Sequence, residues 1–188
     1  MNDRTLNNPP TPEEIGKPFL NSYWVIPDKF LAGSYPAMDD LHSIRKRFTT
    51  FLKSGINHFI DLTVVNELPE YYGILMDEAT ELNLEAKHQR FSIMDKGLPS
   101  KSGMATILDA IDAALDEKRK IYLHCWGGVG RTGTVVGCYL VRHGMRGREA
   151  VDHLAEIYAT SGQSRFHPNS PETREQVDFI LNWHESGS

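Results

Sequence analysis

The chain has 188 residues, 40% of them hydrophobic, and a formal net charge of −5 at pH 7. That length suits one domain with a real core, and the acidic balance argues against a general nucleic-acid binder, which presents a basic face. No apolar run reaches the length of a membrane span and no signal pattern opens the chain, so the expectation is a cytoplasmic protein.

Residues 1–18, rich in Asn, Pro and Glu, read as a flexible arm, which leaves 19–188 as the folded domain. Tyr23–Ile26 and Lys29–Gly33 predict two short strands around the Pro27-Asp28 turn. Asp39 or Asp40 is placed to cap a helix running to about Lys53, with Gly55 as its stop. Ile56–Leu62 predicts a strand. Pro69–Asn83 predicts a helix with Leu75, Ala79 and Leu82 on one face, and Glu85–Ile93 a less regular strand. Met104, Ile107, Leu108, Ile111 and Leu115 make the apolar stripe of the next helix, which Ser100 or Ser102 could cap.

Ile121–His124 reads as the central strand, followed by a buried helix over Thr134 to about His143 and another over Arg148–Ala159. After a polar loop, Ser170-Pro171-Glu172 signals the last helix: a capping serine, proline in the first position, an acid in the first turn. The alternation predicts a single α/β domain with a central, mostly parallel sheet of about five strands flanked by helices. Cys125 and Cys138 lie roughly 20 Å apart if one helix joins them, too far for a disulfide.

The most informative run is His124-Cys125-Trp126-Gly127-Gly128-Val129-Gly130-Arg131-Thr132-Gly133, between the central strand and the buried helix. Glycines let backbone N–H groups converge on one centre, and the helix start adds unpaired N–H groups and its positive dipole end. Arg131 can set its planar fork on two phosphate oxygens. Cys125 stands where that dipole and that arginine favour thiolate, making it the candidate nucleophile. Thr132 can hydrogen-bond the sulfur, and His124 can hold the loop through its ring nitrogens. Trp126 either walls the pocket or packs beneath it. From Gly128 the pattern G-x-x-x-x-G continues with Thr134, not Lys followed by Ser/Thr, so a nucleotide P-loop does not fit.

Phosphoryl transfer to a thiolate leaves an alkoxide or phenoxide that needs a proton. Asp95, in a Gly/Pro-containing loop just after a predicted strand, is the candidate general acid. Asp61 could face the same sheet edge or anchor the next loop, whereas Glu67, Asp109 and Asp112 read as solvated charges. Lys96, Lys101 and Arg165 could draw anions to the mouth. Gln176 either positions a hydrolytic water or is an exposed helical glutamine. The histidines show no ligand spacing, so no metal is expected.

The segment His124–Gly133 resembles the signature loop of the cysteine-dependent protein tyrosine phosphatase superfamily. Asp95 sits where the small dual-specificity-like members carry their general acid. Trp24-Val25-Ile26-Pro27 with Leu31-Ala32-Gly33-Ser34-Tyr35-Pro36 is similar to the entry hairpin of the small atypical members. Pro171-Glu172-Thr173 followed by Gln176 is similar to their closing helix. The resemblance implies that Cys125 takes the phosphoryl group, Asp95 protonates the departing oxygen and later acts as base, and Arg131 holds the equatorial oxygens. It implies no cofactor and a monomer acting on a phosphorylated protein or another phosphomonoester. The lysine-free interior from Trp126 to Gly130 favours protein over phosphoinositide or inositol phosphate substrates. A catalytically silent phospho-binding module is the reading from another class, and the intact set Cys125, Arg131, Thr132 and Asp95 stands against it.

Overall fold

The computed structural model describes residues 16–185, so most of the expected N-terminal arm lies outside the described residues. The described chain is anchored from Lys17, whose amine donates to the Ser22 carbonyl.

Five strands form one sheet in the order β1-β2-β5-β3-β4. They are β1 (Ser22–Ile26), β2 (Phe30–Gly33), β3 (Ile56–Asp61), β4 (Lys87–Arg90) and β5 (Lys120–His124). Only the β1–β2 hairpin is antiparallel; β2–β5, β5–β3 and β3–β4 are parallel. Six α-helices cover the sheet: α1 (Leu41–Lys53), α2 (Tyr72–Glu81), α3 (Lys101–Asp116), α4 (Gly130–Arg142), α5 (Gly147–Tyr158) and α6 (Arg174–Leu181). The predicted fold class is therefore the observed one.

Side-chain alternation along the strands feeds two cores. Leu31, Phe59 and Tyr122 point to α1 and α2, where Phe48, Phe51 and Tyr71 complete an aromatic layer. Their neighbours Phe30, Ile60, Ile121 and Leu123 point to α3 through α6. With both faces buried, β2 and the Ile121–Leu123 stretch of β5 read as near-continuous apolar runs, whereas the edge strand β4 has no apolar residue. Two capping predictions hold: Asp40 accepts from the Ser43 N–H at 3.1 Å, and Ser100 from the Gly103 N–H at 3.0 Å. Each such cap contributes about 1 kcal/mol.

Three boundaries move. α2 begins at Tyr72, not Pro69, and α4 begins at Gly130, a turn before Thr134. The last helix starts at Arg174, with Thr173 as its cap, because Thr173 and Gln176 form a reciprocal capping box. The expected cap, Ser170, gives its hydroxyl to the Val129 carbonyl at 2.8 Å instead.

Register decides where the site falls. Gly33, His124 and Asp61 are direct partners at the carboxyl ends of β2, β5 and β3. The loops after these three parallel strands therefore open on one crevice, the usual place for a ligand in such a sheet.

Candidate active site

The run after β5 forms a tight loop, Cys125–Val129, at the mouth of α4. Gly128 adopts φ +71°, and a Cβ there would lie 2.3 Å from the Gly33 carbonyl carbon, so only glycine fits on both counts. The neighbouring strand fixes the loop from outside, the Tyr35 N–H donating to the Trp126 carbonyl at 2.8 Å. No side chain caps α4 at Val129. Among the described residues, the backbone N–H groups of Trp126 through Thr132 have no hydrogen-bond acceptor. A run of uncapped donors at a helix start is an anion site.

Below the loop lies a buried polar layer. His124 Nδ1 faces only acceptors, the Cys125 carbonyl at 3.3 Å and Asp61 Oδ1 at 3.9 Å, so it carries the proton. Nε2 then accepts from the Tyr71 hydroxyl at 2.7 Å. Burial lowers the His124 pKa to about 4, against the pull of Asp61, and keeps the ring neutral. Asp61 is fully buried and anchors the next loop through the Thr63 N–H and hydroxyl at 2.8 and 2.7 Å, while Arg90 pairs with its other oxygen at 2.8 Å.

Cys125, Asp95 and Arg131 share a cleft of about 260 Å³, which Lys96, Trp126, Gly127, Val129, Gly130, Gln163, His167 and Glu172 also line. Trp126 is 51% exposed, so it walls the cleft and does not pack beneath it. Arg131 is almost wholly buried. Its Nη1 and Nη2 donate to the two carboxylate oxygens of Glu67 at 2.8 and 2.7 Å. Nη1 also reaches the Ile93 carbonyl at 3.0 Å, and Nη2 reaches Asp95 Oδ1 at 3.1 Å. Burial disfavours the guanidinium charge and is the largest single influence, but the Glu67 hydrogen bonds and the charges of Cys125, Glu67 and Asp95 together outweigh it and raise the Arg131 pKa. The same bonds from Arg131 lower the pKa of Glu67. Glu67 grips the end of the guanidinium, which leaves the Nε–Nη2 edge for a ligand, with Asp95 on half of it.

Several expectations change. Glu67 is no solvated charge but the clamp on Arg131. Asp109 and Asp112 both pair with Arg142, at 2.8 and 3.0 Å. The Thr132 hydroxyl is buried without a partner, so its expected bond to the Cys125 sulfur is not made in this conformation. Gln176 is fully buried, not exposed. Its Oε1 accepts from the Glu172 and Thr173 N–H groups and its Nε2 donates to the Gly97 carbonyl at 3.4 Å, so its amide holds the Asp95 loop to α6 and is already engaged. Of the three cations, Lys96 lines the cleft, Lys101 bonds His184 elsewhere, and Arg165 does not line it. Nothing in the sequence singled out Tyr71, Gln163 or His167, which stand in no motif, and Glu172 was legible only as part of a helix start, with no place in the cleft. Burial pushes the Cys138 thiol up and leaves it inert.

Among the described residues, no group of three or more His, Cys, Asp and Glu could hold a metal ion, and no helix is long and apolar enough to cross a membrane.

A family model described as "Swiss Army Knife protein, DSP-PTPase phosphatase domain" matches residues 20–180. The chain belongs to this family. It is 27% identical over 167 residues to a putative tyrosine phosphatase of Invertebrate iridescent virus 3, covering 84% of this chain and 59% of the viral protein. It is 28% identical over 138 residues to a phosphatidylinositol 3,4,5-trisphosphate 3-phosphatase and protein-tyrosine-phosphatase of Arabidopsis thaliana, covering 72% of this chain and 32% of that one. The chain thus spans less than two thirds of either relative. The crystal structure of kinase associated phosphatase shares the fold, with a TM-score of 0.64 at 18% identity over 89% of this chain and 97% of that one.

Proposed function

We propose that this chain hydrolyses phosphate monoesters on protein tyrosine side chains, with phosphoserine and phosphothreonine as further substrates, through a phosphocysteine intermediate. The observation that carries the reading is the set of unpaired N–H groups from Trp126 to Thr132 that follow Cys125, with the Nε–Nη2 edge of Arg131, half taken by Asp95, in the same cleft. The substrate's dianion takes the N–H groups and the Nε–Nη2 edge and displaces Asp95 from Nη2, and the freed carboxylate takes up a proton from solvent beside the substrate's negative charge. Cys125 thiolate then forms the S–P bond as the P–O bond breaks, and Asp95 gives its proton to the departing oxygen. Water attacks phosphorus in the second step, Asp95 takes its proton, and the thiolate leaves with its electron pair. The buried Thr132 hydroxyl has no other partner and is left to serve that departing sulfur. No step calls for a metal or an organic cofactor.

The rim favours protein over polyphosphorylated substrates. Lys96 has a carboxylate oxygen of Glu172 at 3.9 Å, and Glu172 itself faces the cleft. An inositol ring with several phosphates needs more free cations than this rim offers. Phosphate release from phosphotyrosine, phosphoserine and phosphothreonine peptides, phosphoinositides and inositol phosphates tests the proposal, with Cys125→Ser as control. Phosphotyrosine peptides should be the best substrates and the variant should be silent. Faster turnover of the inositol compounds overturns the protein reading, and activity surviving in Cys125→Ser overturns the nucleophile.

A further inference from the structure

A second recess, of about 550 Å³, adjoins the catalytic cleft. Trp126 and Gln163 line both, so the two lie side by side at the indole that follows the nucleophile. Three large apolar side chains that are otherwise in water converge on it: Leu20, 69% exposed, Met38, 52%, and Trp126, 51%. Its walls are already fixed in place. The Ser34 N–H donates to the Asn21 carbonyl at 3.0 Å and the Gly162 N–H to the Leu20 carbonyl at 3.0 Å, while Tyr35 holds Trp126. Among the described residues, Arg47 is the one cation lining the recess. It lies 4.6 Å over the Phe19 ring, donates to the Pro36 carbonyl and pairs with Asp39, so its charge is spent within the wall.

We propose that this recess is a substrate subsite for an apolar side chain of an extended polypeptide, close in sequence to the phosphorylated residue. The inference rests on the protein-substrate reading above and sharpens it. Adjacency to the cleft, through the shared Trp126 and Gln163, assigns the occupant to the molecule whose phosphate sits on the loop. Pairing of Arg47 with the half-exposed Asp39 leaves a preformed, partly apolar surface with no net charge, which rewards an apolar group and penalises a carboxylate. A phosphorylated lipid headgroup or inositol ring finds no free cation there.

The test measures kcat/KM on p-nitrophenyl phosphate and on two phosphotyrosine peptides that differ only in carrying leucine or aspartate at the two positions on each side of the phosphotyrosine. Wild type should prefer the leucine peptide by about tenfold or more, the effect of burying one such side chain. Met38→Glu and Leu20→Ser, both at exposed positions, should abolish that preference and leave turnover of the small aryl phosphate unchanged. Equal rates on both peptides in wild type, or equal losses on all three substrates in the variants, overturn the subsite. If neither peptide is cleaved while the aryl phosphate and inositol phosphates are, the protein-substrate reading fails and the subsite with it. A dimer in wild type that Met38→Glu converts to monomer, without effect on the peptide preference, reassigns the recess to a second copy of the chain.

Discussion

Replacing Glu67 with glutamine tests whether the clamp on Arg131 is as consequential as its geometry implies. The carboxylate spans both terminal nitrogens at 2.8 and 2.7 Å, with side-chain exposures of 1% for Arg131 and 12% for Glu67. A buried partner removed from an ion pair costs about 3–5 kcal/mol. Glutamine keeps one acceptor and the shape, and Ile93 and Asp95 still accept from the guanidinium, so the expected loss is about 2–3 kcal/mol. For a chain of this size that lowers Tm by roughly 4–12 °C. Arg131 would also lose the grip that points its Nε–Nη2 edge at the loop, and kcat/KM on p-nitrophenyl phosphate should fall about ten- to a hundredfold. Thermal unfolding and steady-state kinetics on the same preparation read both effects. A Glu67→Gln protein with wild-type Tm and wild-type kcat/KM would refute the positioning argument.

Four more outcomes follow from the same geometry. Asp95→Asn should slow hydrolysis of alkyl phosphates about 10²–10⁴-fold and of p-nitrophenyl phosphate much less. Because Asp95 occupies Nη2 at 3.1 Å, Asp95→Ala should also bind inorganic phosphate roughly three- to tenfold more tightly; weaker phosphate inhibition would count against that competition. His124 has a pKa of about 4 when folded against 6.5 for an ordinary histidine, so between those values the unfolded chain binds the extra proton. Stability should be intact above about pH 6.5 and fall by about 3 kcal/mol as pH drops to about 4. Urea unfolding at stepped pH should show that slope in wild type and a shallower one in His124→Asn, and parallel profiles would remove His124 as the cause. Gly128→Ala should cost about 2 kcal/mol or more, since left-handed strain and overlap with Gly33 act together. Gly144→Ala shares the strain, at φ +103°, but meets nothing within 4 Å. It should therefore leave kcat/KM unchanged, whereas Gly128→Ala lowers it.

What the sequence made legible was local. Cys125 through Thr132 is one contiguous run whose residue types state their chemistry, and Asp95 follows a strand end within a turn-forming loop. Strand and helix alternation was enough for the sheet. The clamp could not be seen, because Glu67 meets Arg131 across 64 positions of chain and nothing beside Glu67 distinguishes it from a surface acid. Tyr71 was hidden for the same reason, its hydroxyl meeting His124 from 53 positions away. The start of α4 was placed late because helix-start signals are capping side chains, and this helix has none. The start of α6 was placed early because a good local signal, Ser170, was drawn into a tertiary bond.

The alignment of Gly33, Asp61 and His124 at one level of the sheet also ties activity to folding. Each lies at the end of a strand, and the loops beyond them meet only after parallel pairings between distant parts of the chain have closed. Such pairings are slow to form because their loop entropy is lost before their contacts are gained. The anion seat therefore exists only in the completed sheet, and an anion that fills it binds the native chain and not the unfolded one. If the seat takes inorganic phosphate as proposed, phosphate should act by mass action as a folding ligand whose protection grows with the logarithm of its concentration.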